Sequence, residues 1–323
     1  MIECVEKPIS ETQLVWSGEV LTEGRGGEGS RLAVASQVFD TVPIVPAEYD
    51  EIGIWSEVKL AIIKKYASAY TTILDKNRRE KISSLRWHYI DAYAGPGVHL
   101  SKATKTIVEG SPLIALNTTP PFSEYHFIDS NPKRAVQLRK LSGPREDVHI
   151  HDGDCNDILL KEVFPRVRYE NYQRALCLLD PYNINLKWEV IETAGQMGSV
   201  EMFLNFMIMD INRNALRKNR DLAIQSKIDQ LTRLWGDGSW EDVAFSSEGK
   251  LFEDPEKVSN ERFEAAFRER LKTKAGFKYV SPPLPMKTKT NSVIYYLYFA
   301  SQKPVAAGIV DQIFNTYRKR QGF

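Results

Sequence analysis

The sequence is poor in cysteine. Its 323 residues include three cysteines, Cys4, Cys155 and Cys177, and no two of them form a C-x-x-C pair. An odd number of scattered thiols argues against a disulfide framework and against a cysteine-bound zinc site. We therefore expect reduced thiols, as in a cytoplasmic protein.

The sequence also has little excess charge and lacks long apolar runs. Lys and Arg number 43 and Asp and Glu 42, so the net charge is +1. This balance argues against a broad basic surface for binding duplex nucleic acid, although it is compatible with a local basic patch. No signal-peptide pattern and no membrane-length apolar run occur, which favours a cytoplasmic location without membrane association. A hydrophobic content of 42% suits one large α/β core with additions, or at most two domains.

Residues 87–97 are the stretch around which the rest can be arranged. They are typical of a buried strand that ends in an acid and then breaks at a glycine turn. In an open α/β sheet such a turn lets a small molecule approach the backbone, although a plain turn is the alternative. The cofactor contacts predicted here are Asp91, Tyr93, Gly95, Pro96 and Gly97.

The turn favours S-adenosylmethionine (SAM) over a dinucleotide. The dinucleotide fingerprint needs a third glycine where this chain has Leu100. A pyrophosphate also needs a helix to open directly after the turn, but the next helix-start signal is Ser111-Pro112, which makes residues 98–110 an inserted loop. SAM has no phosphate and can be held by backbone groups and strand-end acids.

Two further strands are predicted to end in acids. Asp129 closes the strand that begins at Tyr125 and would bind the ribose hydroxyls, with capping of the next helix as the alternative. The strand of residues 148–151 leads to Asp154, which we expect near the adenine amino group unless it belongs to a plain acidic turn. His149 and His151 are interpreted as two side chains on one strand face, and no metal site is predicted.

The fourth strand delivers a second motif to the same edge. Residues 175–179 form an apolar run, typical of a central strand buried on both faces, and Asp180-Pro181-Tyr182 follows. The carboxylate and the proline carbonyl can accept both hydrogens of an amine, while the Tyr182 ring stacks on a base. We predict Asp180, Pro181 and Tyr182 as the catalytic residues; a strand followed by a proline turn is the simpler alternative.

The remaining segments complete the predicted domain plan. An irregular arm spans 1–50, a SAM-binding core 51–206, a helical insertion 207–276, and a hairpin and helix 277–323. Within the core, a helix runs from Trp55 to Ile73, and residues 77–81 form a solvated turn. The insertion carries Arg213, Arg217 and Arg220, which are predicted to bind substrate; solvated helix faces explain these charges equally well. The hairpin strands are expected over 277–286 and 291–301.

The combined motifs permit a comparison with a known family. The sequence resembles the bacterial three-Cys-motif partner proteins from about Ile54 to the C-terminus. The motifs that carry the resemblance are Asp91-Ala92-Tyr93-Ala94-Gly95-Pro96-Gly97, Glu109-Gly110-Ser111-Pro112-Leu113-Ile114-Ala115-Leu116, Phe127-Ile128-Asp129 and Leu179-Asp180-Pro181-Tyr182.

The resemblance implies an α/β fold of the Rossmann-like class I SAM-dependent methyltransferase type that works with a second, cysteine-containing protein. The turn at Asp180 is also similar to that of nucleic-acid amino-methyltransferases, but it lacks one proline of their usual Asp/Asn-Pro-Pro-Tyr/Phe motif. Two functions follow as expectations. The first is SAM-dependent N-methylation of a base in DNA or RNA. The second is a SAM- or nucleotide-binding accessory protein without transferase activity.

Overall fold

A computed structural model describes residues 49–181, 184–217, 223–246, 256–288 and 290–320. These residues belong to one compact unit. Nearly all of the predicted N-terminal arm lies outside the described residues, as do Tyr182 and Arg220. Within the described ranges, no helix is both long and apolar enough to cross a membrane.

The described residues form thirteen strands and ten α-helices, besides a π-helix (Leu159–Val163) and two 3-10 helices (Phe164–Arg166 and Tyr169–Asn171). The strands are β1 (Asp50–Ile52), β2 (Arg86–Asp91), β3 (Val98–Ser101), β4 (Ile107–Glu109), β5 (Glu124–Asp129), β6 (Val148–Asp152), β7 (Gln173–Leu179), β8 (Val200–Phe206), β9 (Phe245–Ser246), β10 (Glu256–Lys257), β11 (Tyr279–Val280), β12 (Leu284–Lys287) and β13 (Val293–Ser301). The helices are α1 (Ile54–Glu80), α2 (Ser111–Leu116), α3 (Pro132–Ser142), α4 (Cys155–Ile158), α5 (Trp188–Met197), α6 (Ile208–Asn214), α7 (Gln225–Trp235), α8 (Trp240–Ala244), α9 (Asn260–Thr273) and α10 (Pro304–Arg320).

The central sheet has the strand order β6-β5-β2-β7-β8-β13, with β11 and β12 both paired to β13. The first five strands of this order are mutually parallel, and β13 is antiparallel to β8. The chain starts in the middle at β2, goes outwards through β5 and β6, and then returns to β7 on the other side. This reversal is the switch point at which open α/β sheets bind ligands. The predicted class I methyltransferase sheet with its C-terminal hairpin is confirmed.

Both faces of the sheet are covered, which explains why β7 is apolar over most of its length. On one face, α1 and α10 pack on aromatic side chains such as Tyr89 and Phe299. On the other face lie α5 and the helices between residues 208 and 273, whose Trp235 and Phe267 pack near Phe206 of β8. The helical insertion therefore supplies much of the core on that face.

Three segments differ from the sequence expectations. Residues 77–80 continue α1 instead of forming a turn, because Asp75 pairs with Arg78 (2.6 Å) and Arg79 (3.1 Å) one helical turn later. The single strand expected over 277–286 is divided into β11 and β12, since the intervening Pro282-Pro283 offers no backbone N–H to a ladder. The expected loop 98–110 contains the hairpin β3–β4, and β3 pairs with β1.

Two helical glycines give a matched test of the packing between α5 and the segment that follows α9. A Cβ on Gly195 would overlap the Ala275 carbonyl oxygen, whereas a Cβ on Gly308 of α10 would meet open space. Gly195→Ala should lower the free energy of unfolding by about 1–3 kcal/mol through overpacking. Gly308→Ala should raise it by about 0.5–1 kcal/mol, because alanine favours the helix. Urea denaturation of both variants measures this, and equal stabilities would contradict the close approach.

Candidate functional site

A cavity of about 640 Å³ opens at the carboxyl edge of the sheet, beside the switch point. This volume falls in the range of small-molecule sites. Its wall combines the turn after β2, the ends of β7 and β8, the start of α1, and the strand β1. The polar and charged residues that line it are Asp50, Glu51, Ser56, Lys59, Tyr93, His99, Lys102, Ser111, Arg134, Asp180, Asn205 and Tyr295.

The glycine turn is held in place by the carboxylate of Asp129. Gly95 lines the cavity with a φ of 65°, a conformation that glycine adopts without strain. Its N–H donates to Asp129 Oδ2 (2.9 Å), and the N–H of Asn131 donates to Oδ1 (2.8 Å). Both oxygens therefore already accept a backbone hydrogen bond, and a ribose hydroxyl at Asp129 would use a remaining lone pair.

An arginine connects Asp129 to the strand that borders the cavity. Arg134 Nη2 donates to Asp50 Oδ2 at 2.7 Å, and its Nη1 lies 3.7 Å from Asp129 Oδ2. Asp50 begins β1, which pairs in parallel with β3. The hairpin β3–β4 and β1 therefore form a small sheet beside the cavity, fastened to α3 through this guanidinium.

Two residues of the turn have a packing position and do not line the cavity. Pro96 and Gly97 are buried. Gly97 has a φ of 81°, and a Cβ there would lie 2.8 Å from Leu141 Cδ1 and 3.2 Å from Leu138 Cδ2. Glycine at position 97 is thus required for the contact with α3. The predicted cofactor contacts of Pro96 and Gly97 stay predictions.

Asp91 ends β2 beneath the turn and is fully buried. Its Oδ1 accepts a hydrogen bond from the N–H of Tyr93 (3.4 Å), and its Oδ2 has no hydrogen-bond partner in the described residues. Burial, which disfavours the charged form, is the main reason that the pKa of this carboxyl is raised to about 7. Asp91 is not among the residues that line the cavity.

Asp180 and Pro181 line the opposite wall, and the Asp180 carboxylate is engaged on both oxygens. Its Oδ2 pairs with the Nζ of Lys59 from α1, and its Oδ1 accepts from the Nδ2 of Asn205 at the end of β8. Lys59 is 7% exposed, so this ion pair is shielded from water on the lysine side. An acceptor amine at Asp180 would have to share or replace one of these contacts.

The other predicted residues lie elsewhere. Asp154 is exposed and caps α4 by accepting from the N–H groups of Asn156 (2.8 Å) and Asp157 (3.3 Å). Arg213 is exposed on α6, and its carbonyl accepts a hydrogen bond from Arg217 Nε (2.6 Å). Neither arginine lines the cavity, but α6 follows directly after Met207, which does.

Among the groups of the cavity wall that sequence reasoning missed are Lys59, His99, Arg134 and Asn205. Two of them carry a signal that was available: Lys59 interrupts the apolar positions of α1, and Asn205 interrupts the apolar strand β8. His99 lies in the segment interpreted as a loop; burial lowers its pKa, and its Nδ1 has no partner in the described residues. Arg134 gave no signal, since a basic residue near the start of a helix is common on surfaces.

The residues present fit SAM. Gly95 presents backbone to the cavity, and Asn205 Oδ1 and His99 Nδ1 are buried polar atoms without a partner in the described ranges. Such atoms can receive the hydrogen bonds of a ligand that carries an amine and hydroxyls. In the described part of the chain the strand β3, and not a helix, follows directly after the glycine turn, whereas a pyrophosphate needs a helix N-terminus at that place.

The raised pKa of Asp91 predicts a pH dependence of stability. In the folded state this carboxyl keeps its proton up to about pH 7, against 3.8 normally. Between these values the folded protein binds more protons than the unfolded chain, so the contribution of Asp91 to stability falls as pH rises and is constant above pH 7. Relative to Asp91→Asn, the wild type should lose roughly 4 kcal/mol across this window at most.

Urea denaturation from pH 4 to pH 8 measures this difference. Glu201, at the opposite end of β8, provides a control, because burial raises the pKa of its carboxyl from 4.5 to about 7 as well. Glu201→Gln should remove a slope of the same sign without changing the ligand cavity. A pH profile of Asp91→Asn that parallels the wild type would contradict a buried, protonated Asp91.

Comparisons with known proteins give weak matches. No family model matches the chain, and no curated protein matches it. A Legionella pneumophila protein of the family model DUF519 is 13% identical over 80% of this chain and 91% of its own, with a TM-score of 0.46. The CurJ carbon methyltransferase is 12% identical over 72% of this chain and 53% of its own (TM-score 0.35). A SAM-dependent methyltransferase from Anabaena variabilis is 11% identical over 76% and 93% (TM-score 0.28). The fold assignment rests on the strand order of this chain itself.

Proposed function

We propose that this protein is a SAM-dependent methyltransferase that methylates an amino nitrogen of a nucleic-acid base, together with a partner protein of the three-Cys-motif type. The observation that carries the proposal is the convergence of two strand-end motifs on one cavity. The Gly95 turn, clamped by Asp129, forms one wall, and Asp180 with Asn205 forms another. Class I methyltransferases place cofactor and acceptor at this edge of the sheet.

In this proposal the Gly95 side of the cavity holds SAM. The ligand lies on the backbone of residues 93–95, and Asp129 orients that backbone through the Gly95 N–H. Tyr93 is fixed by its hydroxyl, which donates to the Asn185 carbonyl (2.7 Å). When bound, SAM supplies a methyl group on a positively charged sulfur. The protein contributes a preorganised position for it.

The Asp180 side of the cavity receives the acceptor amine. Lys59 and Asn205 hold the carboxylate in one orientation, and each carboxylate oxygen keeps lone pairs that can accept from an amine. The Pro181 carbonyl lies next in the chain and offers a second acceptor. Hydrogen bonds from both amine hydrogens direct the nitrogen lone pair towards the methyl group, so orientation is the main contribution to the rate.

The nucleic-acid part of the proposal is supported by position. Helix α6 starts at the cavity edge after Met207 and carries the exposed Arg213. Arg217 follows it, and Arg220 lies three residues beyond the described range that ends at 217. Arginines beside a cavity can bind backbone phosphates of a strand whose base enters the cavity.

A second function is favoured by a specific observation. Both oxygens of Asp180 are occupied by protein groups, and such an engaged carboxylate suits a structural role in a SAM- or nucleotide-binding accessory protein. The two functions are separated by incubating the protein with methyl-labelled SAM and total cellular DNA, RNA and protein, with and without its genomic neighbour. Transfer to nucleic acid supports the methyltransferase, and SAM binding without transfer to any fraction supports the accessory protein.

A pair of glycines tests the cofactor site. Gly95 and Gly143 share a φ of 65°, but only Gly95 lines the cavity, and Gly143 ends α3 with open space around it. Alanine at either position should cost about 1–3 kcal/mol of stability, because a positive φ strains a residue that carries a Cβ. Only Gly95→Ala should weaken SAM binding, by about tenfold or more, because its methyl group enters the cavity. Calorimetric titration measures this, and equal SAM affinities of the two variants would reject the site.

The acceptor role of Asp180 has a matched control in its ion-pair partner. Asp180→Asn and Lys59→Met both remove the partly buried ion pair, so both should lower stability. Only Asp180→Asn removes the carboxylate, and it should reduce methyl transfer at least about 100-fold while SAM still binds. The rate of label transfer at saturating SAM measures the effect. Equal losses of activity in the two variants would mean that the ion pair, and not the carboxylate, matters.

A further inference from the structure

Four of the five histidines of this chain gather on one face of the sheet, away from the cavity. His88 lies on β2, His126 on β5, and His149 and His151 on β6, three neighbouring parallel strands. The strand register aligns His88 with Glu124 and His126 with His149. Because alternate residues of a strand share a face, Glu124 and His126 point the same way. The register thus assembles a cluster that no local spacing reveals.

Within this cluster three ligand-type atoms face one another. The Nδ1 of His88 lies 3.3 Å from the Nε2 of His126, and these nitrogens lie 3.6 and 3.7 Å from Oε2 of Glu124. The Nε2 of His149 approaches the same Oε2 to 3.3 Å. In a tetrahedral zinc site, bonds of about 2.0–2.1 Å place the ligand atoms about 3.3 Å apart. The observed separations are close to that spacing.

Protein hydrogen bonds alone leave this cluster incomplete. Gln173 Oε1 can only accept, so His88 donates to it through Nε2 (2.8 Å) and keeps a lone pair on Nδ1. If His126 donates Nε2–H to that lone pair, Glu124 Oε2 receives nothing from it. This oxygen is buried and has no hydrogen-bond partner in the described residues. A buried carboxylate oxygen in that state is costly, and a cation between the three atoms would remove the cost.

We propose that His88 Nδ1, His126 Nε2 and Glu124 Oε2 bind a divalent transition-metal ion, with zinc as the metal that suits this ligand set best. Two imidazoles and a carboxylate are typical zinc ligands. His149 Nε2 is the nearest group for the fourth position. Gln173 orients the His88 ring from behind, as outer hydrogen-bond partners of metal-ligating histidines do.

With His149 in the fourth position, the metal would tie together the three strands β2, β5 and β6, and it would not take part in methyl transfer. His88 precedes Asp91 by three residues, which places the cluster about 10 Å along β2 from the cavity end of the strand. The proposal is therefore independent of the proposed function. Its expected effect is on stability, since an ion that binds only the folded chain stabilises it.

The test uses the full chain without a histidine tag, stripped with a chelator and then titrated with ZnCl₂. We expect one zinc per chain by elemental analysis, a higher melting temperature with zinc, and the visible absorption of tetrahedral cobalt when CoCl₂ replaces zinc. Glu124→Gln and His126→Gln should each lower zinc affinity more than about tenfold. His99→Gln, which changes the one histidine outside the cluster, should bind zinc like the wild type.

Several results would overturn the site. A wild type that binds no zinc would show that the cluster is a hydrogen-bonded histidine network only. Undiminished binding by Glu124→Gln would show that zinc binds adventitiously elsewhere. If His126→Gln fails to fold, Glu124→Gln still decides the question, because Glu124 begins β5 and its side chain is 37% exposed. Circular dichroism of each stripped variant checks that it is folded.

Discussion

The carboxylate of Asp129 is the contact on which the cavity depends. It accepts one backbone hydrogen bond from the turn after β2 and another from the residue that caps α3. Gly95 is buried, so its N–H would otherwise be an unsatisfied donor, which costs about 1–3 kcal/mol. One side chain at the end of β5 therefore fixes both the turn of the neighbouring strand and the start of the next helix.

The second half of the cavity is fixed by a longer-range arrangement. Lys59 and Asp180 are separated by 121 positions in the sequence, and Asn205 joins them from a third element. A carboxylate held from two sides loses little orientational freedom when a ligand binds, which favours chemistry based on positioning. The same arrangement lowers the number of free acceptor sites at Asp180. The contacts that orient the Asp180 carboxylate therefore also reduce the lone pairs that it can offer to a ligand.

The fold was largely predictable, because each central strand combines an apolar run with a polar break at its carboxyl end. Asp91, Asp129 and Asp180 were recognised in this way as acids at strand ends. Parallel strands bring such ends to one edge of the sheet. What could not be predicted depends on register and helix packing. Lys59 reaches the cavity only because α1 crosses the sheet there, and Asp91 is buried too deeply to line the cavity.

The histidine cluster is another feature that depends on strand register and could not be predicted from the sequence. No metal site is predicted from the sequence, because His149 and His151 have no partner of suitable spacing. His88 and His126 are 38 positions apart, and only the pairing of β2 with β5 brings His88 Nδ1 to 3.3 Å from His126 Nε2. A cluster whose members come from neighbouring strands is assembled by strand register and has no single local pattern, whereas a glycine turn does.

Arg134 has a consequence for how the cavity responds to a ligand. Its guanidinium contacts Asp50 on β1 and approaches Asp129 under the glycine turn. Two carboxylates thus compete for one guanidinium. A ligand hydroxyl that donated to Asp129 would weaken the attraction between Asp129 and Arg134 relative to that between Asp50 and Arg134. By thermodynamic linkage, if ligand binding favours one position of β1, then holding β1 in that position raises the affinity for the ligand by the same factor. A ligand that binds Asp129 would thereby couple this acid to the strand beside the opening.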